Sequence, residues 1–136
     1  FETLPVGRGR RLREGRDVAL VTVGTVGNAA ARAAERAAAQ GGEAAHYDLR
    51  WVKPLDTELL DEVGRTFRRV ITVEDGCLRG GVGEAVAAYF NARGYDAHVT
   101  CLGIGDAWVE HGTPEQLHAL CGYDEESILR ALTQPV

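Results

Sequence analysis

Methionine is absent from all 136 residues, position 1 included, and lysine occurs once, at Lys53, against fourteen arginines. A chain without an initiator reads as a processed product or, better, as a piece of something longer, whose chemistry resides in residues beyond it. The excess of arginine and alanine reads as genomic bias. Cysteine is scarce and odd in number: Cys77, Cys101 and Cys121 show no C-x-x-C spacing. Reduced thiols of a cytosolic protein are the expectation. No apolar run approaches the ~20 residues of a membrane span, and FETLPVGRGR lacks the apolar stretch of a secretory signal. Excess positive charge is missing too. A net charge of -5 repels polyanions and argues against nucleic acid or an anionic membrane as partner.

What remains is an ordinary apolar content of 45%, enough for one core in a chain long enough for one domain. Residues 1–9 hold Pro5, Gly7 and Gly9 and read as an incoming interdomain linker; residues 10–136 read as the domain. RRLRE (10–14) predicts a short strand that turns at Gly15. DVALVTVG (17–24) is a continuous run of the kind a strand buried on both faces carries. TVGNAAARAAERAAAQ (25–40) predicts a long helix capped by Thr25 and stopped by Gly41 and Gly42. A strand over 44–52, closed by Pro54, precedes a helix capped by Asp56. RVITVE (69–74), a helix from about Gly83 to Arg93, and DAHVTCLG (96–103) continue the alternation. Thr113, Pro114 and Gln116 form a capping box with proline at the first helical position, and Gly122 ends that helix. Asp124 caps the last one.

Strands alternating with helices define an α/β domain with a mainly parallel sheet covered on both faces. The first strand has no helical crossover. It belongs at an edge, antiparallel to the rest.

VEDGCLRGGVGEAV (73–86) is the stretch that looks built to hold something. Glycines between a strand and a helix N-terminus cradle phosphates in many proteins. Here neither G-x-G-x-x-G nor G-x-x-x-x-G-K-[ST] is complete, and Glu74, Asp75 and Glu84 surround Arg79 with negative charge. Close backbone approach at Gly80, Gly81 and Gly83 is the favoured reading. GTVGNAA (24–30) offers a second, incomplete anion turn. The five arginines of RGRRLREGR (8–16) fit an edge strand that resists unwanted pairing. His111, His118 and Cys121 lack the paired spacing of a zinc site. His46 and His98 stand singly in strands, as core or edge residues. Asp48, Arg50 and Asp56 surround the end of the second buried strand, where an ion pair fixing the Pro54 turn is favoured over substrate recognition.

Several blocks, in order, resemble a known family. They are LPVGRG (4–9), VTVGT (21–25), DLRWVKPLD (48–56), ITVEDGCLRGGVGEAV (71–86) and LGIGDAWVEHGTPEQLHALCGYDEESI (102–128). Together they resemble the C-terminal domain of the 1-deoxy-D-xylulose-5-phosphate synthases. D-x-R-x-x-x-P-L-D and V-E-[DE]-x-x-x-x-G-G-x-G are shared by transketolase-like C-terminal domains generally and by the beta subunits of 2-oxoacid dehydrogenases, whereas LPVGRG and the final block look like the synthase. The alternatives are the same domain of a transketolase or of such a beta subunit, or a stand-alone anion- or nucleotide-binding module. The resemblance implies a three-layer αβα sandwich with a mixed, mainly parallel five-stranded sheet whose first strand is antiparallel. It implies a full enzyme that joins pyruvate to glyceraldehyde 3-phosphate with loss of carbon dioxide, using thiamine diphosphate and magnesium, on the way to isoprenoid precursors. The cofactor signature, GDG followed some 25–30 residues later by Asn, is absent from this chain, so no catalytic, cofactor-binding or metal-binding residue is carried over. The implied role is structural: docking on the preceding catalytic domains of the same chain and support of a homodimer. Glu74, Asp75, Gly80, Gly81 and Gly83 are the expected contact surface, the two acids placed to hydrogen-bond across it. Asp48, Arg50, Pro54 and Asp56 are the expected structural residues.

Overall fold

A computed structural model describes residues 1–135. Its elements are β1 (Arg10–Arg13), β2 (Val18–Val23), α1 (Val26–Ala39), β3 (Ala44–Asp48), α2 (Thr57–Thr66), β4 (Arg69–Cys77), α3 (Val82–Arg93), β5 (His98–Ile104), α4 (Pro114–Cys121) and α5 (Glu125–Thr133). The five strands form one sheet in the order β1-β3-β2-β4-β5, parallel except for β1, which runs antiparallel to β3.

Alternation along the central strands feeds two cores. Val18 and Leu20 of β2, with Ile71 and Val73 of β4, face α1 and α5, where Ala30, Ala33, Ala34 and Ala37 let the long helix lie close to the sheet. Ala19, Val21 and Val70 face α2 and α3 and meet Leu60, Val63, Val86 and Phe90. Two helical layers therefore sandwich the sheet, as expected from strands apolar on both faces. Ion pairs join the first layer from outside: Arg32 and Arg36 of α1 reach Glu125 of α5 at 2.7 and 3.1 Å. In the second layer Asp61 of α2 accepts the hydroxyls of Tyr89 and Tyr95 at 2.8 and 2.7 Å.

β1 sits at the edge, yet its neighbour is β3 rather than β2, the next strand in sequence. The connection passes beneath β3, where Gly15 lies so close to the backbone of Ala44 and Ala45 that no side chain fits. The amides of Arg16 and Asp17 both donate to the carbonyl of Glu43, 3.0 Å away. Four of the five arginines of this segment are answered by the domain's own acids: Arg8 by Glu58, Arg10 by Asp48, Arg11 by Glu62 and Arg16 by Glu43.

Three local expectations differ from the structure. Thr25 precedes α1 but is itself helical in backbone and makes no side-chain cap, so the helix begins without the expected hydrogen bond. β3 stops at Asp48 rather than at position 52: the Arg50 amide donates to Asp48 Oδ1 at 3.1 Å, and Arg50 adopts a φ of 56°, which turns the chain away from the sheet. β4 runs on to Cys77, past a register irregularity after Val73. Among the described residues no helix is long and apolar enough to cross a membrane.

Candidate functional site

Ligands of open α/β sheets bind beyond the carboxyl ends of the strands, where successive connections leave in opposite directions. Here that point lies between β2 and β4, because the chain moves from β2 to β3 on one side and then returns to β4 on the other. The turn after β2 and the loop after β4 frame it. They are the two glycine-bearing stretches singled out in the sequence.

An anion already occupies the N-terminus of α3. Glu74, at the end of the buried part of β4, is 5% exposed. Its Oε2 accepts the amide of Val82 and its Oε1 the amide of Gly83, both at 2.9 Å. The N-cap itself is Gly81, which has no side chain to offer, so a carboxylate from the preceding strand does that work. Three further loop amides are engaged as well. Leu78 donates to Ile104, Gly81 to Leu78, and Gly80 to the Glu84 carboxylate at 2.7 Å. A phosphate in this loop would have to displace Glu74.

The glycines have separate reasons. Gly80 turns with φ +72° and faces open space, whereas a side chain on Gly81 would collide with the Cys77 carbonyl and the Glu74 carboxylate. Gly83 lies against Thr72 Oγ1 and Cys101 Sγ, which a methyl group there would meet at 2.6 and 2.7 Å. Close approach is thus between α3 and its own sheet. At the other turn, Gly27 and Asn28 donate to the carbonyls of Gly24 and Thr25 at 3.1 Å, so those amides are also taken.

Asp75 points the other way, toward α4. Its Oδ1 accepts the Tyr123 hydroxyl at 2.8 Å, and His118 Nε2 lies 3.8 Å from Oδ2. The rings of His118 and Tyr123 stack with centroids 4.7 Å apart. Burial, seconded by the bond to Asp75, holds the Tyr123 phenol well above its ordinary pKa. His118 is therefore committed to Asp75 and Tyr123. Among the described residues no group of three or more His, Cys, Asp or Glu is placed to hold a metal ion.

His46 is buried against Thr22, with Nε2 2.9 Å from Oγ1. Burial, with a smaller push from Arg13, lowers its pKa to about 4, against a partial offset from Asp48. His98 begins edge strand β5 and is exposed.

The remaining cluster fastens the incoming chain. Asp56 caps α2 through Oδ1 to the Leu59 amide at 3.1 Å, while its Oδ2 accepts the Gly9 amide at 2.9 Å. Asp48 binds Arg10 Nε at 3.1 Å, and Arg50 Nε stands 3.9 Å from it. Pro54 lies against Gly7. Sequence reasoning named these residues and the Asp56 cap, but missed that Asp56 also holds residue 9. A contact across 47 positions leaves no local signal. It missed the Asp75–Tyr123 bond for the same reason.

An open, mostly parallel sheet with an antiparallel edge strand, its switch point closed by a glutamate, defines an α/β domain of the mixed-sheet kind. The family model for the transketolase C-terminal domain matches residues 7–128, and the chain belongs to that family. Among curated proteins it is 48% identical over 135 residues to a 1-deoxy-D-xylulose-5-phosphate synthase of Bacteroides fragilis, covering 98% of this chain and 21% of the relative. It is 41% identical over 134 residues to the synthase of Acidovorax ebreus, covering 98% of this chain and 20% of the relative. The matched region is the C-terminal part of those proteins. The chain thus spans about a fifth of the length of the curated relatives it matches. Among solved structures, a split-gene transketolase described as an inactive beta4 tetramer superposes with a TM-score of 0.87 at 34% identity, over 95% of this chain and 42% of that one.

Proposed function

We propose that this chain is the C-terminal, structural domain of a cytoplasmic thiamine-diphosphate-dependent 1-deoxy-D-xylulose-5-phosphate synthase. That enzyme joins pyruvate to glyceraldehyde 3-phosphate with release of carbon dioxide, toward isoprenoid precursors. The observation that carries the reading is the 48% identity to a synthase across 98% of the chain. The residues here do not fit thiamine diphosphate or its magnesium ion: the cofactor signature is missing, and the amides at α3 are held by Glu74. The cofactor belongs to the preceding domains of the longer polypeptide, which this domain braces within a homodimer. Its contact surface is the loop from Glu74 to Gly83. Asp75 and Gly80 present themselves outward, while Glu74, Gly81 and Gly83 shape the loop from within.

The test is an assay of this chain and of the longer polypeptide, each with pyruvate, glyceraldehyde 3-phosphate, thiamine diphosphate and magnesium. Product from the longer form alone is expected. Turnover by the 136-residue chain would refute the division of labour.

A second reading, the same domain in a transketolase, is favoured by the split-gene neighbour. Ketose donors in place of pyruvate separate the two.

A further inference from the structure

A single exposed apolar side chain is ordinary, whereas a fully exposed tryptophan beside a second exposed apolar residue and above an apolar cleft calls for a reason. Trp108 is 103% exposed, and Val109 beside it is 37% exposed. Both lie in the segment 105–113 between β5 and α4. Below the indole is an open cleft of about 370 Å³ lined by Cys77, Ile104, Gly105, Asp106 and Ala107. Arg79 closes one side through its ion pair with Asp106 at 3.1 Å. α4, which follows, buries none of its residues. An indole of this kind, over an apolar cleft with a charged rim, has the composition of a binding anchor.

Topology says what reaches it. Because β1 is antiparallel, it begins opposite Asp48, at the carboxyl end of β3. The incoming chain therefore arrives at the same end of the sheet from which segment 105–113 leaves β5. Val6 and Val52, 69% and 49% exposed, lie at that end too. Five strands at ~4.8 Å spacing put β1 and β5 only about 19 Å apart. The matched relatives carry about four-fifths of their length outside the region shared with this chain. Polypeptide joined ahead of Phe1 is thus delivered to this end of the sheet.

We infer that Trp108 and Val109 are a docking anchor for the polypeptide N-terminal to this domain. The partner supplies an apolar socket for the indole, next to the Glu74–Gly83 loop, whose Cys77 lines the cleft and whose Arg79 pairs with Asp106. This rests on the reading of the chain as a C-terminal domain. It adds a second contact whose residues are not among those named for the first.

Hydrogen exchange tests both contacts at once. Among the described residues no hydrogen bond holds the amides of Trp108, Val109, Glu110 or His111, so in the 136-residue chain they exchange freely. In the longer polypeptide they are expected to exchange at least tenfold more slowly, and Trp108→Ala restores the fast rate there while leaving the short chain unchanged. Unchanged exchange at 105–113 with slowing at 75–80 overturns this inference and leaves the loop contact standing. Slowing at 105–113 without slowing at 75–80 supports the anchor and removes the loop. No slowing at either overturns both. Slowing in the short chain that grows with its concentration assigns the patch to a second copy and also overturns the anchor.

Discussion

Oε1 of Glu74 accepts the amide of Gly83, nine residues further on, at 2.9 Å, so the strand that delivers the chain to α3 also caps it. The contact ties the end of β4 to the start of α3 without any residue of the loop between. Buried charge-assisted bonds of this sort contribute roughly 1.5–3 kcal/mol each, and an N-cap about 1 kcal/mol. Glu74→Ala should therefore lower unfolding stability by about 2–3 kcal/mol, read from urea denaturation, with Glu74→Gln less affected. The vacated amides should then bind phosphate, so that added phosphate raises the melting temperature of Glu74→Ala more than that of the parent. A variant as stable as the parent would remove the cap from the account.

Gly80 and Gly83 should respond in opposite ways to the same kind of change. Gly80 has φ +72° and open space around it; asparagine tolerates that conformation, and Gly80→Asn should stay within about 0.5 kcal/mol of the parent. Gly83→Ala forces a methyl group against Thr72 and Cys101 and should cost about 1–3 kcal/mol as α3 lifts from the sheet. Equal stabilities for the two variants would contradict this geometry.

Much of this could be read in the sequence where cause and effect are local. The box of Thr113 and Gln116 forms as its spacing predicts, Gly122 ends α4 with φ +77°, and Asp124 caps α5 through the Ser127 amide. β-branched runs located β2 and β4. What failed was either competition between local choices, as at Thr25, or partners far apart in the chain. Nothing near Glu74 announces that its carboxylate turns forward to the helix, and nothing near Gly15 announces that the chain must cross beneath Ala44. Exposure is the hardest part to read, since an exposed Trp108 and a buried one give the same letter.

Thr72 is 2% exposed, and its hydroxyl has no hydrogen-bond partner among the described residues. A buried orphan hydroxyl costs about 1–3 kcal/mol, and valine has the same shape. Thr72→Val should raise stability by about 1 kcal/mol, seen as a higher urea midpoint with an unchanged slope. A lower midpoint would mean that the hydroxyl has a partner in solution.

His46 sets the acid response between neutrality and pH 4. Its pKa is pushed down to about 4 in the fold, against about 6.5 for a free imidazole. The folded state therefore keeps it neutral while the unfolded chain takes up a proton. Stability from this site is full above pH ~6.5 and falls as pH drops toward 4, by about 3 kcal/mol in all. Carboxylates held low by cations, such as Glu125 beside Arg32 and Arg36, lose their contribution in the same direction but in more acidic solution. The interval from pH ~6.5 to ~4.5 thus isolates the imidazole. His46→Gln keeps a partner for Thr22 and should flatten the stability profile there; an unchanged slope would show that the ring protonates without unfolding.

Tyr123 governs the alkaline side by the same logic with the sign reversed. Its phenol, 2% exposed and donating to Asp75, is raised well above the ordinary value by burial and then by that bond. The unfolded phenol ionises near pH 10, so the stability it supplies is complete below that pH and declines as pH rises through it. Tyr47 and Tyr89 are also raised and add to the slope. Tyr123→Phe removes one hydrogen bond, costing about 1 kcal/mol at neutral pH, because Asp75 can turn to water, but it should make the loss above pH ~10 shallower. Absorbance at 295 nm followed alongside circular dichroism decides the matter. Phenolate from Tyr123 should appear only as helix signal disappears, and titration of all four tyrosines before any unfolding would disprove the buried bond to Asp75.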